Sequence, residues 1–283
     1  MRLGQIKPSG VLVAAVFEGD LARTIPGYTV ADLIRRAEAE GVPLSQTAAR
    51  LASHHPEPHP PALPIVPPEV WACGCTYETS ASFRDAEQGT REGMYAYVYR
   101  EPRPEIFFKG TARFCVGPGQ PIGIRADSRF TAPEPEVALV LGAKGDILGY
   151  TLANDVSAWD IERENPLYLP QSKIFTGCCA LGPVIITADD LPDPYSLQMT
   201  CVITRAGRQI FSGSVPISTL HRKFETLIEY LRRANPVPAG TVLLTGTGII
   251  TPEDAALAPG DTVTISIPEI GVLTNHAQIV GVG

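Results

Sequence analysis

Glu134 and Glu136 open the stretch "EPEVALVL", two carboxylates at the head of an otherwise apolar strand. Residues two apart in an extended chain point to one face, so the two side chains converge. After the turn "AKGD" the chain returns as "ILGYTLAND", and a hairpin of two equal arms carries Asp155 back to the same end. Three oxygen ligands without His or Cys suit Mg²⁺, Mn²⁺ or Ca²⁺ rather than zinc. The same residues also fit a simpler arrangement, with both glutamates facing solvent and Asp155 capping a helix from Ser157. Spacing alone leaves both open.

Two further stretches carry chemistry. "DIERENPLYLPQSKIFTGCCALGP" sets one lysine, Lys173, among apolar and small residues. A desolvated lysine beside a metal has its amine pKa lowered, which would make it a base or an enolate partner, whereas a solitary lysine is ordinarily a surface charge. "VLLTGTGII" breaks a buried strand into Gly246, Thr247 and Gly248, where backbone N–H groups and a hydroxyl can approach a carboxylate, or which simply turn the chain. The Gly-Lys-Ser/Thr ending of a phosphate loop is missing.

The elements that must position these groups are mostly short strands. They are expected at Val137 to Leu141, Ile147 to Ala153, Val184 to Thr187, Leu197 to Thr204, Gln209 to Phe211, Thr241 to Thr245, Thr262 to Ile267 and Thr274 to Val280, with one long helix over Ser218 to Ala234. Residues 1–53 read as a small α/β domain: a strand over Val11 to Phe17, a helix over Val30 to Glu40 stopped by Gly41, and a second over Ser45 to Ser53. In "HHPEPHPPALPIVPP" seven prolines preclude a helix, so 54–69 reads as an extended, solvated linker and 70–283 as the main domain. His54, His55 and His59 lie among those prolines and do not form a ligand cage.

The 283 residues are 44% hydrophobic and 19% charged, the balance of a globular protein, and a net charge of −7 without Lys/Arg clusters argues against nucleic acid. No apolar run is long enough to span a bilayer. The six cysteines, with Cys73 and Cys75 as C-x-C and Cys178 and Cys179 adjacent, fit neither zinc pairs nor a secreted scaffold, and read as reduced thiols of a cytoplasmic protein.

Taken in order, "EPEVALVL", "GYTLANDVSAWDIE", "SKIFTGCCALGP" and "LLTGTGI" resemble the fumarylacetoacetate hydrolase family over roughly 70–283, with "PEIFFKG" and "ENPLYLPQSK" similar to its sugar-acid dehydratase branch. The resemblance implies an α+β, mainly β fold, a mixed β-sandwich roll, with Mg²⁺ (or Mn²⁺) held by Glu134, Glu136 and Asp155, and a homodimer or homotetramer. It implies Glu105 and Lys173 as catalytic residues. Burial among Ile106, Phe107 and Phe108 would keep Glu105 protonated as an acid. It implies Thr247 and Gly246 gripping the substrate carboxylate, and Arg84 and Ser82, near Tyr77, binding the rest of a 2-oxo sugar acid. The implied reaction is dehydration of a 2-keto-3-deoxy-pentonate to 2,5-dioxopentanoate; the alternative is metal-dependent C–C hydrolysis of an acylpyruvate or a 2,4-diketo-3-deoxy sugar acid. The hydrolases use a His and Glu pair ahead of the metal strand, and no histidine occurs between Trp71 and Thr131.

Overall fold

The computed structural model describes residues 1–80 and 94–281. The first part supplies β1 (Arg2–Ile6), β2 (Val13–Glu18), β3 (Leu21–Ile25) and β4 (Glu57–Pro58), with helices α1 (Val30–Glu40) and α2 (Leu44–Leu51) between the last two. There follow β5 (Val70–Gly74), helix α3 (Met94–Arg100), β6 (Glu105–Gly110), β7 (Cys115–Val116), β8 (Pro121–Arg125) and β9 (Thr131–Ala132). The middle of the chain forms β10 (Pro135–Leu141), β11 (Ile147–Asp155), β12 (Ser157–Ala158), α4 (Trp159–Glu164) and α5 (Leu169–Lys173). The remainder forms β13 (Cys179–Thr187), β14 (Gln198–Arg205), β15 (Arg208–Pro216), α6 (Phe224–Arg232), β16 (Thr241–Leu244), β17 (Thr262–Ile267) and β18 (Gly271–Val280).

One large mixed sheet has the order β4-β3-β2-β1-β13-β11-β10-β16-β5-β6, with β7 paired beside β13. A second has the order β15-β14-β17-β18-β8, and β9 and β12 form a small ribbon. β11 and β13 pack on β17 and β18, so the two sheets close over a core that includes Leu152, Leu181, Ile265 and Leu273. This is the expected α+β, mainly β roll. Fully buried β10 and β13 explain why those strands read as unbroken apolar runs rather than alternating ones.

The N-terminal strands join the same sheet, β1 pairing with β13 through Arg2 opposite Ile186 and Leu3 opposite Ile185. β1 and β3 did not stand out in the sequence because Gly4, Gln5 and Arg23 interrupt their apolar pattern. Helix α1 ends at Gly41 as expected, with Gly41 in the left-handed conformation, and Thr29 and Asp32 form a capping box at its start. The proline-rich stretch is extended, but it is partly built in rather than solvated throughout: β4 pairs with β3, the Ala62 N–H donates to the Gln5 carbonyl, and Ile65 is buried.

The expected long helix is shorter, α6 beginning only at Phe224. The stretch before it is pinned by tertiary bonds: the His221 N–H donates to the Thr76 carbonyl, and the buried Arg222 guanidinium donates to the carbonyls of Pro102, Val98, Tyr99 and Glu101. Four acceptors for one guanidinium outweigh the weak preference of these residues for helix. Ser157 likewise begins no helix; it pairs in β12 with Ala132, and α4 starts at Trp159.

Candidate metal centre and active site

The β10–β11 hairpin delivers the three carboxylates as its register requires. Glu136 sits opposite Ala153, and the Asp155 N–H donates to the Glu134 carbonyl at 2.9 Å. Glu134 and Asp155 are therefore cross-strand partners and share a face with Glu136. The ligand oxygens of the three residues lie within 4.8 Å of one another, and all three residues are buried.

Two lysines reach into the cluster. Lys173, at the end of α5, donates from Nζ to Glu134 Oε1 at 2.8 Å and to Ser157 Oγ at 2.6 Å, and its Nζ lies 3.6 Å from Asp155 Oδ2. Lys109, on β6, is completely buried; its Nζ lies 2.5 Å from Asp155 Oδ1 and donates to the carbonyls of Val156 and Lys173. Burial is the largest single influence on the Lys109 ammonium and disfavours it, but the charge and hydrogen bond of Asp155 together with the influence of Cys178 outweigh it, so the pKa stands above its ordinary value. Glu136 differs: burial first, then the charges of Asp155 and Glu134, push its carboxyl well above the ordinary range, although the Gly246 N–H donates to its Oε2. Among the described residues, three carboxylate side chains meet two lysines at this spot, and Glu136 Oε1 and Asp155 Oδ2 receive no hydrogen bond from them. Buried acceptors left unsatisfied are the donor set of a hard divalent cation.

Lys109 is a site residue that the sequence analysis did not single out. The available signal was the alternation in "EIFFKG": Glu105, Phe107 and Lys109 share one face of β6, and Phe108 points the other way and is 38% exposed. The Lys173 ammonium lies 5.5 Å from the centre of the Phe107 ring.

Glu105, at the start of β6, is half-buried and lines a cavity of about 440 Å³ with Tyr95, Val98, Arg103, Glu162 and Leu169. Its carboxylate rests over Gly74, where a Cβ would come within 2.0 Å of Oε2, and the Cys75 thiol donates to Oε2 at 3.4 Å. The loop after β16 also meets the site. The Gly246 N–H is bonded to Glu136, so Gly246 serves the carboxylate cluster; Thr247 is buried, with its hydroxyl accepting from the Ile249 N–H at 3.2 Å. Gly246 has φ +96° and a Cβ there would meet Thr76 Oγ1, so glycine is required. Ser82 and Arg84 lie outside the described residues.

A mixed β roll with a buried carboxylate triad at one hairpin end, answered by Lys173 from α5, is the arrangement that the sequence resemblance implied. The family model described as fumarylacetoacetate (FAA) hydrolase C-terminal matches residues 75–278, and the chain belongs to that family. Among curated relatives, the chain is 52% identical to 2-dehydro-3-deoxy-D-arabinonate dehydratase of Saccharolobus solfataricus over 213 residues, covering 74% of this chain and 72% of the relative. It is 43% identical to a probable 2-keto-3-deoxyxylonate dehydratase of Haloferax volcanii, covering 77% and 75%. Among solved structures, 2-keto-3-deoxy-D-arabinonate dehydratase complexed with magnesium and 2,5-dioxopentanoate superposes with TM-score 0.83 at 39% identity, over 99% of both chains.

Proposed function

We propose that the protein is a Mg²⁺-dependent hydro-lyase that converts a 2-keto-3-deoxy-D-pentonate into 2,5-dioxopentanoate. The observation that carries this reading is the buried Glu134, Glu136 and Asp155 cluster, with its unsatisfied oxygens, in a chain so similar to dehydratases of this substrate class. A bound divalent cation supplies fixed positive charge for the C2 oxygen and so acidifies the C3 proton.

The chain's own residues account for the rest. Lys173, fixed between Glu134 and Ser157, is assigned either to the C3 proton, as a base in its neutral form, or to the negative charge that removal of this proton leaves. Lys109 holds Asp155 in register from behind. Glu105, at the cavity wall, donates a proton to the departing C4 hydroxyl, which leaves as water. Moving a C5 proton to C3 then shifts the C3–C4 double bond to C4–C5 as an enol, and moving the enol hydroxyl proton to C4 makes C5 an aldehyde. One water is lost and no carbon is lost. Thr247 is assigned to the substrate carboxylate, with Gly246 shaping the loop, and Arg84 and Ser82 to the distal hydroxyls.

A homodimer or homotetramer belongs to the same proposal, supported by Ile210, Val272 and Ile279 exposed on the second sheet. A cytoplasmic setting is supported by the six free thiols. The test is to incubate the protein with 2-keto-3-deoxy-D-xylonate with and without Mg²⁺ and to follow products by mass. The expected result is metal-dependent loss of one water. Cleavage of an acylpyruvate into two acids, with no dehydration, would transfer the site to the hydrolase alternative.

A further inference from the structure

Trp159 is 4% exposed and begins α4 directly behind the carboxylate cluster. Its indole Nε1–H donates to Glu134 Oε1 at 2.6 Å, the same oxygen that accepts from Lys173 Nζ at 2.8 Å. The ring cannot swing away. It packs edge-on against Phe130 with centroids 5.3 Å apart, its backbone N–H donates to the Phe130 carbonyl at 2.9 Å, and the Arg163 guanidinium lies over the Phe130 ring at 4.7 Å. The β9–β12 ribbon fixes both aromatic residues, since Thr131 pairs with Ala158.

Two strong donors on one carboxylate oxygen occupy both of its lone pairs. Glu134 can then ligate a cation only through its other oxygen. Ca²⁺ is accommodated by six to eight oxygens, often with a carboxylate giving both; Mg²⁺ demands a tight octahedron and single-oxygen ligands. We propose that Trp159 is a positioning residue for cation choice: with Lys173 it saturates Glu134 Oε1, confines that carboxylate to one-point ligation, and so favours Mg²⁺ over Ca²⁺. This rests on the metal-site reading above and extends it from which residues bind to why one ion is chosen.

Trp159→Phe keeps the ring and removes the N–H. The test is calorimetric titration of the full-length, chelator-treated wild type and variant with Mg²⁺ and separately with Ca²⁺, with thermal unfolding as a check on the fold. Wild type should bind Mg²⁺ more tightly than Ca²⁺. In the variant Mg²⁺ affinity should fall about tenfold, the scale of losing one such supporting hydrogen bond, while Ca²⁺ affinity falls less or rises. An unchanged ratio of the two affinities overturns the inference even if both weaken, because a purely structural role would weaken both alike. Wild type binding neither ion would instead remove the metal site itself.

Should Trp159→Phe not fold, the ¹⁵N-labelled wild type carries the test. Trp71→Phe identifies the other indole, which donates to Glu69. The Trp159 indole resonance should stay downfield and protected from exchange when Mg²⁺ is added. Movement to the position of an unbonded indole would refute the proposal.

Discussion

Five charged side chains, Glu134, Glu136, Asp155, Lys109 and Lys173, are almost wholly withdrawn from water at one spot. Such a cluster is costly unless its charges answer one another, and the lysines answer only two of the three carboxylates. Glu136 is the residue left to pay, and its raised pKa fixes a pH dependence. In the unfolded chain a glutamate loses its proton near pH 4.3, whereas the folded, metal-free protein keeps it to higher pH. Above about pH 4.3 the unfolded state therefore holds fewer protons, and stability falls as pH rises through the folded pKa. Metal-free wild type should lose melting temperature between about pH 5 and pH 8 relative to Glu136→Gln, which has no charge to bury there. Parallel curves for the two proteins would show that Glu136 is not strained by its neighbours. Lys109 gives the opposite case. Lys109→Met takes away the nearer of the two ammonium groups that face Asp155, leaving Lys173 Nζ at 3.6 Å, and should cost about 3–5 kcal/mol in metal-free denaturant unfolding, with Mg²⁺ restoring part of it. A loss below about 1 kcal/mol would show that Lys109 does not offset the buried carboxylate cluster.

The elements show why part of this site could be read from sequence and part could not. The hairpin was legible because its turn, its equal arms and the two-residue spacing of the glutamates are all local, and local rules set the register that brings Asp155 home. β6 was not, because whether Lys109 faces in or out depends on β5 beside it and on the site beyond, neither of which is near in sequence. The start of α6 failed for a similar reason: carbonyls more than a hundred residues away hold Arg222 outside the helix. The β5–β6 pair also fixes Glu105. Gly74 lies opposite Glu105 in that pairing, and its missing Cβ is the floor on which the carboxylate rests. Since the atom in the way is the end of a flexible side chain, Gly74→Ala should cost no more than about 1 kcal/mol in stability. Its effect should fall on turnover, which should drop at least about a hundredfold, as for removal of a general acid, and match the loss in Glu105→Gln while Mg²⁺ binding survives in both. Turnover of Gly74→Ala near wild type would show that Glu105 works from another position.

At the scale of the whole molecule, what matters is how residues 1–53 relate to the rest. Sequence separates them by a proline-rich stretch, yet the large sheet runs through both parts, and β1 covers the edge of β13, whose other neighbour is β11 of the metal hairpin. Leu3 and Ile6 of β1 are fully buried, the Arg2 guanidinium donates to the carbonyls of Glu269 and Ile270, and the Gln5 side-chain amide donates to the Leu63 carbonyl while its oxygen accepts from the Val30 N–H. Prolines prevent helix in 54–69, but they do not prevent an extended chain from lying along a sheet, and composition cannot tell these apart. Removing residues 1–53 would therefore expose an apolar strand edge of the sheet that carries the carboxylate cluster, at Ile185 and Ile186 of β13, the geometry that invites edge-to-edge association. The expected result for a chain of residues 54–283 is aggregation on size-exclusion chromatography and loss of the cooperative thermal transition, with no Mg²⁺ binding recoverable by calorimetry. A soluble fragment that melts cooperatively and still binds Mg²⁺ would show instead that the roll from β5 onward is self-sufficient and that β1 to β3 are an accessory built onto its edge.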